Sequence, residues 1–167
     1  MSELRFREAT PDDVALLRAW DEEPHVQAAD PNDDWQWEEE LERNPDWREQ
    51  RIAEADGRPI GFMQIIDPAR EDSHYWGECE PDLRALDIWI GPADALGKGY
   101  GTRMMTLAID HCFATPGVRA ILIDPLASNH RTRRFYERLR FIFVEERDFG
   151  EDHCAVYRLE RERWEAR

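Results

Sequence analysis

The segment Leu96-Gly97-Lys98-Gly99-Tyr100-Gly101-Thr102 sets three glycines at alternate positions. Glycines so spaced let the backbone turn tightly and aim successive N–H groups at one point. A helix pattern starts directly after them, and a helix N-terminus adds about half an elementary charge and free amide donors. Lys98 and Arg103 reinforce that positive end. A pyrophosphate needs no more than this to bind. Two nucleotide readings fail on spacing. No Gly-Lys-Ser/Thr follows the glycines as a Walker loop requires. A Rossmann fingerprint opens an early βαβ unit with an acid about 20 residues on, whereas this loop starts midway along the chain and Asp124 comes too late.

The remaining chemistry is acidic. The net charge is −15, which argues against nucleic acid as a partner. From Gly97 to Arg140 there are eight bases against three acids, a window of +5, so the rest of the chain carries −20. One region therefore suits an anion, and acidic surfaces elsewhere attract cations.

The elements that must hold these residues follow from periodicity. Leu4-Arg-Phe-Arg alternates as a half-buried strand does. Thr10-Pro11-Asp12-Asp13 is a helix start, and Val14, Leu17 and Trp20 continue it as an apolar stripe. Residues 24–48 are acidic and tryptophan-rich, with short helices expected. Gln50–Asp56 and Pro59–Asp67 make a hairpin around Gly57-Arg58, and residues 68–82 read as a loop. Leu83–Ile90 is a strand, followed by the glycine loop and a helix over about Tyr100–Ala114. Val118–Ile123 is an apolar strand, Asn129–Leu139 a helix, and Phe141–Glu146 and His153–Leu159 two more strands. The order is that of a mixed α/β domain. At 167 residues the expectation is one domain, residues 1–167, that needs no metal or disulfide. No apolar run is long enough to span a membrane, and no secretory leader is readable at the start. Cys79, Cys112 and Cys154 read as reduced thiols of a cytoplasmic protein. The five histidines lack metal-ligand spacing, so no metal is expected.

Gly97-Lys-Gly-Tyr-Gly101 after a strand meander, then Asp124-Pro-x-x-x-Asn129 and Tyr136-Glu137, resembles the GNAT superfamily of acyl-CoA-dependent N-acyltransferases. Two positions depart from the family pattern: Leu96 stands where Arg or Gln is usual, and Arg140 precedes Phe141 where glycine is usual. The resemblance covers roughly residues 4–160. It implies an α/β (α+β) GNAT fold, a mixed and mostly antiparallel central sheet of six to seven strands flanked by helices. Acetyl-CoA would lie in the cleft between splayed strands 4 and 5.

Within that superfamily the chain is most similar to aminoglycoside 6′-N-acetyltransferases, through Leu96–Thr102, Ser128-Asn129, Arg134-x-Tyr136-Glu137, Gly61-Phe-Met-Gln64 and the acidic, aromatic stretch Asp72–Asp87. This implies acetyl transfer to an amine of a cationic small molecule, an aminoglycoside, as in antibiotic resistance. Such a transfer must deprotonate an ammonium, stabilise an oxyanion and protonate a thiolate. The resemblance gives the first task to Asp72, the second to a backbone N–H among Ile88, Trp89 and Ile90, and the third to Tyr136. Gly97, Lys98, Gly99, Tyr100, Gly101 and Thr102 would hold the diphosphate and Asn129 the pantetheine arm. Asp87, Asp124 and Asp152 map to positions that bind substrate ammonium groups, and Trp35 or Trp37 could stack on a sugar ring or an amine.

Plainer roles stand beside each. Asp72 is an acid in a loop, Asp124 could cap the turn after it, and Asp152 follows a turn-like Gly-Glu. Tyr136, Trp35 and Trp37 could simply pack, and Asn129 is a good helix N-cap. Two alternatives remain open: an acyltransferase for a siderophore hydroxylamine, another polyamine or a protein terminus; and a non-catalytic acyl-CoA-binding module. Analogy with the fold also suggests a homodimer.

Overall fold

A computed structural model describes residues 2–167. The chain divides into two compact units, Met1–Ile65 with Asp87–Ala108, and Ile66–Leu86 with Ile109–Arg167.

In the first unit β1 (Leu4–Glu8) pairs antiparallel with β2 (Arg48–Ala55), in the register Leu4↔Ala55 to Glu8↔Arg51. The connection carries a 3-10 turn, Pro11–Asp13, then α1 (Val14–Asp21), α2 (Pro24–Ala29) and α3 (Trp37–Glu40). Its start is pinned where Arg7 grips Asp13 through both Nη atoms at 2.9 and 2.8 Å, while Asp13 also accepts the Thr10 N–H. β2 and β3 (Arg58–Ile66) turn through Asp56 and Gly57, both with positive φ, as a tight hairpin requires. β4 (Leu83–Ile90) completes the order β1-β2-β3-β4. Side chains alternate across the strands. Ile52 and Trp89 therefore join Leu17, Trp20, Trp37, Leu41 and Phe62 in one cluster, while Ala53, Ala55, Ile88 and Ile90 join Ala95 and Met104 in another. Gly91 lies under Trp20, where a Cβ would come within 2.0 Å of the indole. The glycine loop then leads into α4 (Tyr100–Ala114), whose last turns belong to the second unit.

In the second unit the order is β4-β5-β7-β6, with β5 (Ala120–Ile123), β6 (Ile142–Phe149) and β7 (Asp152–Glu160). β5 pairs parallel with β4, Leu83–Ala85 against Ala120–Leu122, and antiparallel with β7. All four β5 residues are buried, which suits its unbroken apolar run. α5 (His130–Arg138) and α6 (Arg161–Glu165) flank these strands. The sheet is thus mixed and mostly antiparallel, with seven strands among the described residues, as expected.

Several boundaries differ from the sequence reading. β6 continues to Phe149 rather than Glu146 because its charged residues Glu145–Asp148, all exposed but the half-buried Arg147, still pair with β7. α6 was missed: five residues are too few for a readable stripe. The unusual Arg140 does not disturb the end of α5. It adopts φ 79°, the left-handed region, while Arg140 N–H donates to the Glu137 carbonyl and Phe141 N–H to that of Tyr136. That is a Schellman ending with arginine where glycine is easier. Arg140→Gly should therefore raise stability by about 1 kcal/mol in urea denaturation. A destabilised variant would mean the arginine side chain contributes more than its backbone strain costs.

Candidate active site

The loop before α4 is exposed, and φ is 73° at Gly97 and 81° at Gly99. A Cβ at either would meet nothing within 4 Å, so the glycines serve the backbone turn and leave open space in front of it. The first backbone donation here is Arg103 N–H to the Gly99 carbonyl. The N–H groups of Gly97 through Thr102 donate to no protein acceptor among the described residues. They stand at the positive end of a 15-residue helix. Lys98 is exposed beside them. Arg103 departs from expectation: its guanidinium holds Ser2, through the carbonyl at 2.5 Å and Oγ at 3.2 Å. The cradle relies on amides more than on side-chain charge, and it fits a diphosphate.

The end of β4 lies close by in sequence and is firmly held. Gly91 N–H donates to the Ile60 carbonyl at 2.9 Å, and His25 Nε2 lies 2.8 Å from the Ile90 carbonyl. The backbone of Trp89 packs so tightly over β3 that a Cβ on Gly61 would sit 2.7 Å from its carbonyl. Trp89 Nε1 is buried with no acceptor among the described residues.

On the face of β4 that carries Trp89, three carboxylates gather. A polar ladder crosses the sheet: Gln50 Nε2 donates to Gln64 Oε1 at 2.9 Å, and Gln64 Nε2 donates to Asp87 at 3.2 Å. Burial and the charge of Asp33 push Asp87 up to about 6 despite the Gln64 hydrogen bond. Asp30 closes α2 and receives the Trp35 Nε1–H at 3.0 Å. Burial, then Asp33, pushes Asp30 up to about 8. Asp30 and Asp33 went unremarked in the sequence because 24–48 reads as a uniformly acidic stretch without period. Trp35 stacks on Trp37 at 5.2 Å and 5°, and meets Trp89 at 5.2 Å. Trp37 itself is only 2% exposed, with Nε1 donating to Asp21 at 2.7 Å. The expectation that it stacks on a ligand is corrected: it is a core residue, and Trp35 is the half-buried member of the pair.

In the second unit Tyr136 is the one buried residue of α5, 7% exposed, with its ring against Phe135 and Phe141. Asn129 is the N-cap of α5, accepting the Thr132 N–H at 3.2 Å. Arg133 Nε donates to the Tyr157 hydroxyl, which donates to Glu137, so α5 is tied to β7 beside Tyr136. Asp72 is exposed in the 68–82 loop. The loop is shaped by its neighbour Glu71, 6% exposed, which accepts from Ser73 N, Ser73 Oγ and Tyr75 N. Asp124 receives the Tyr75 hydroxyl at 2.5 Å, and Tyr75 stacks on Phe149. Asp152 is half-buried as the first residue of β7.

Comparison with known proteins bears on family and fold. The family model described as an acetyltransferase (GNAT) domain matches residues 9–149. An aminoglycoside N(6′)-acetyltransferase type 1 of Klebsiella pneumoniae is 35% identical over 91 residues, 54% of this chain and 45% of the relative, so the match spans less than half of that protein's length. A lysine N-acyltransferase of Mycobacterium tuberculosis is 27% identical over 162 residues, 89% of this chain and 73% of the relative. A solved aminoglycoside acetyltransferase in complex with coenzyme A superposes with a TM-score of 0.84 at 25% identity, over 98% of each chain, and another structure of it holds coenzyme A and kanamycin.

Two measurements follow. Gly99→Val puts a branched side chain at positive φ in front of the amides, and should weaken coenzyme A binding roughly tenfold or more in isothermal titration. Gly57→Val, with φ 82° and equally open space in the β2–β3 turn, is the matched control and should leave that affinity alone. Asp30 binds its proton in the folded chain at pH values where the unfolded chain, near 4, has lost it. Stability therefore falls as pH rises from about 4 towards about 8. Asp30→Asn should melt higher than wild type at pH 8, and the gap should close at pH 4.

Proposed function

The chain belongs to the GNAT acetyltransferase family, and on that premise we propose that it moves an acetyl group from acetyl-coenzyme A to a primary amine of a polycationic small molecule, an aminoglycoside 6′-amine foremost. The observation that carries the reading is the run of amides from Gly97 to Thr102 that donate to no acceptor among the described residues, which fits the donor's diphosphate. We read residues 1–167 as one domain, since the family match runs through both units.

Acetyl-coenzyme A supplies an acetyl thioester, and the rest of the chemistry falls to the chain. Gly97–Thr102 hold the diphosphate, and Asn129 hydrogen-bonds the pantetheine arm. The edge of β4 at Ile88–Ile90 offers backbone N–H groups to the oxygen on which negative charge develops. Asp72 accepts the proton that the substrate ammonium must lose, directly or through water. Its exposure supports a role at a site open to solvent. Tyr136 donates its phenolic proton to the departing thiolate, and its burial on a tethered helix supports a fixed position for that proton.

Cation recognition is assigned to carboxylates. Asp87, held by Gln64, and the newly apparent Asp30 and Asp33 form an acidic cluster in the first unit, with Trp35 as its aromatic member. Carboxylates crowded enough to be pushed up to about 6 and about 8 gain most from an arriving ammonium. Asp124 and Asp152 are assigned the same task in the second unit. Single exposed pairs contribute only about 0–1 kcal/mol, so affinity is a sum over several and favours a substrate with several amines. The three cysteines, which form no disulfide among the described residues, support a cytoplasmic setting.

The similarity to a lysine N-acyltransferase along 89% of the chain favours one second reading, acyl transfer to a siderophore-type amine. A panel read by coenzyme A release separates the two. Turnover is expected with kanamycin-type substrates that carry a 6′-amine and absent with their 6′-hydroxyl counterparts; activity confined to lysine or hydroxylamine derivatives would favour the second. Asp72→Asn should slow turnover by about 10²–10⁴-fold, and an unchanged rate would remove Asp72 from the mechanism. Tyr136→Phe should lower kcat while leaving coenzyme A affinity nearly intact.

A further inference from the structure

We infer that His25 is a positioning residue for acetyl transfer: it holds the Ile90 carbonyl so that the backbone donors of β4 stay aimed at the reacting thioester. The inference rests on the acetyltransferase reading above and adds to it a residue that no motif marks. His25 lies on α2, in sequence far from the glycine loop and from every carboxylate assigned to catalysis.

The geometry begins with one peptide plane, Ile90–Gly91. A trans peptide points its C=O and N–H in opposite directions. Gly91 N–H goes to the Ile60 carbonyl of β3 at 2.9 Å, so the Ile90 carbonyl points to the other edge of β4. There His25 Nε2 meets it at 2.8 Å. A carbonyl only accepts, so Nε2 carries the proton and donates. In a strand the N–H and C=O of one residue face the same edge, and residues two apart share it. The N–H groups of Ile88 and Ile90 therefore face the edge that His25 occupies, away from β3. Of the three donors given for the oxyanion, Ile88 and Ile90 face this edge, and the expectation for Trp89 is corrected, because its N–H faces β3 as that of Gly91 does.

A strand edge would normally satisfy its carbonyls with another strand, and that strand would consume the N–H groups as well. A single imidazole on a helix takes the carbonyl and leaves the N–H groups for a ligand. Rigid support comes from around it. Pro24 opens α2 directly before His25, and Trp20 of α1 packs on Gly91 so closely that no side chain fits there. The peptide plane is fixed through its N–H, its C=O and its following residue. Small misplacements of an oxyanion donor are costly, because its stabilisation depends on preorganised aim.

The test compares wild type with His25→Ala and His25→Gln, the second of which keeps an N–H donor of similar reach. With an accepted amine, His25→Ala should lower kcat roughly tenfold or more, with KM for acetyl-CoA within about twofold, and His25→Gln should recover most of the loss. Wild-type kcat in His25→Ala, or equal losses in both variants at unchanged melting temperature, would overturn the inference. A readout independent of turnover is the ratio of acetyl-CoA to coenzyme A affinity by calorimetry. A donor aimed at the thioester oxygen favours acetyl-CoA, and His25→Ala should move the ratio towards one. If wild type turns over no amine, the transferase reading fails, and an unchanged affinity ratio in His25→Ala overturns the inference separately.

Discussion

Backbone amides at the start of α4 have no acceptor among the described residues, and that deficit organises much of the first unit. Helix N-termini always leave orphan donors; capping side chains usually take them. Here the residues that could cap are replaced by glycines whose positive φ turns the amides outward, with no side chain standing in front. The nearest arginine is drawn off to Ser2 rather than neutralising whatever binds. Everything upstream fixes where that helix begins. Gly91 sits against Trp20, the Ile90–Gly91 peptide is bonded on both sides, and Ala95 is buried beneath the loop.

A second tension opposes the first in sign. Asp30, Asp33 and Asp87 are gathered where desolvation and mutual repulsion raise their proton affinity. Such a cluster costs stability in the free protein and is compensated when a cation arrives. The Gln50–Gln64–Asp87 ladder and the Trp35–Asp30 hydrogen bond orient the carboxylates without neutralising them. Amide donors suited to an anion and crowded carboxylates suited to a cation thus stand as opposite electrostatic demands within one unit.

Most strands and the long helices were legible because their periods are strong: Leu83–Ile90 and Tyr100–Ala114 appear where the pattern put them. The tight, exposed turn before α4 was legible because three alternate glycines favour positive φ, which Gly97 and Gly99 adopt. What stayed hidden depends on contacts distant in sequence. His25 reads as one more polar residue of an acidic stretch until the fold sets it against Ile90, 65 positions away. Asp30 and Asp33 were lost among many acids, and nothing local separates a crowded carboxylate from a solvated one. For Trp35 and Trp37 the sequence leaves stacking and packing both open, and only the fold separates them: Trp37 fills the core. Arg140 looked like a flaw in the helix ending, whereas the backbone hydrogen bonds of that ending form regardless of side chain.

The central claim, that these amides receive a diphosphate, is tested most directly by amide chemical shifts of isotopically labelled protein titrated with coenzyme A and, separately, with pantetheine. The account predicts large shifts at Gly97, Gly99 and Gly101 with coenzyme A and little movement there with pantetheine, which lacks the diphosphate. Saturable binding of coenzyme A that leaves those three signals in place would contradict it.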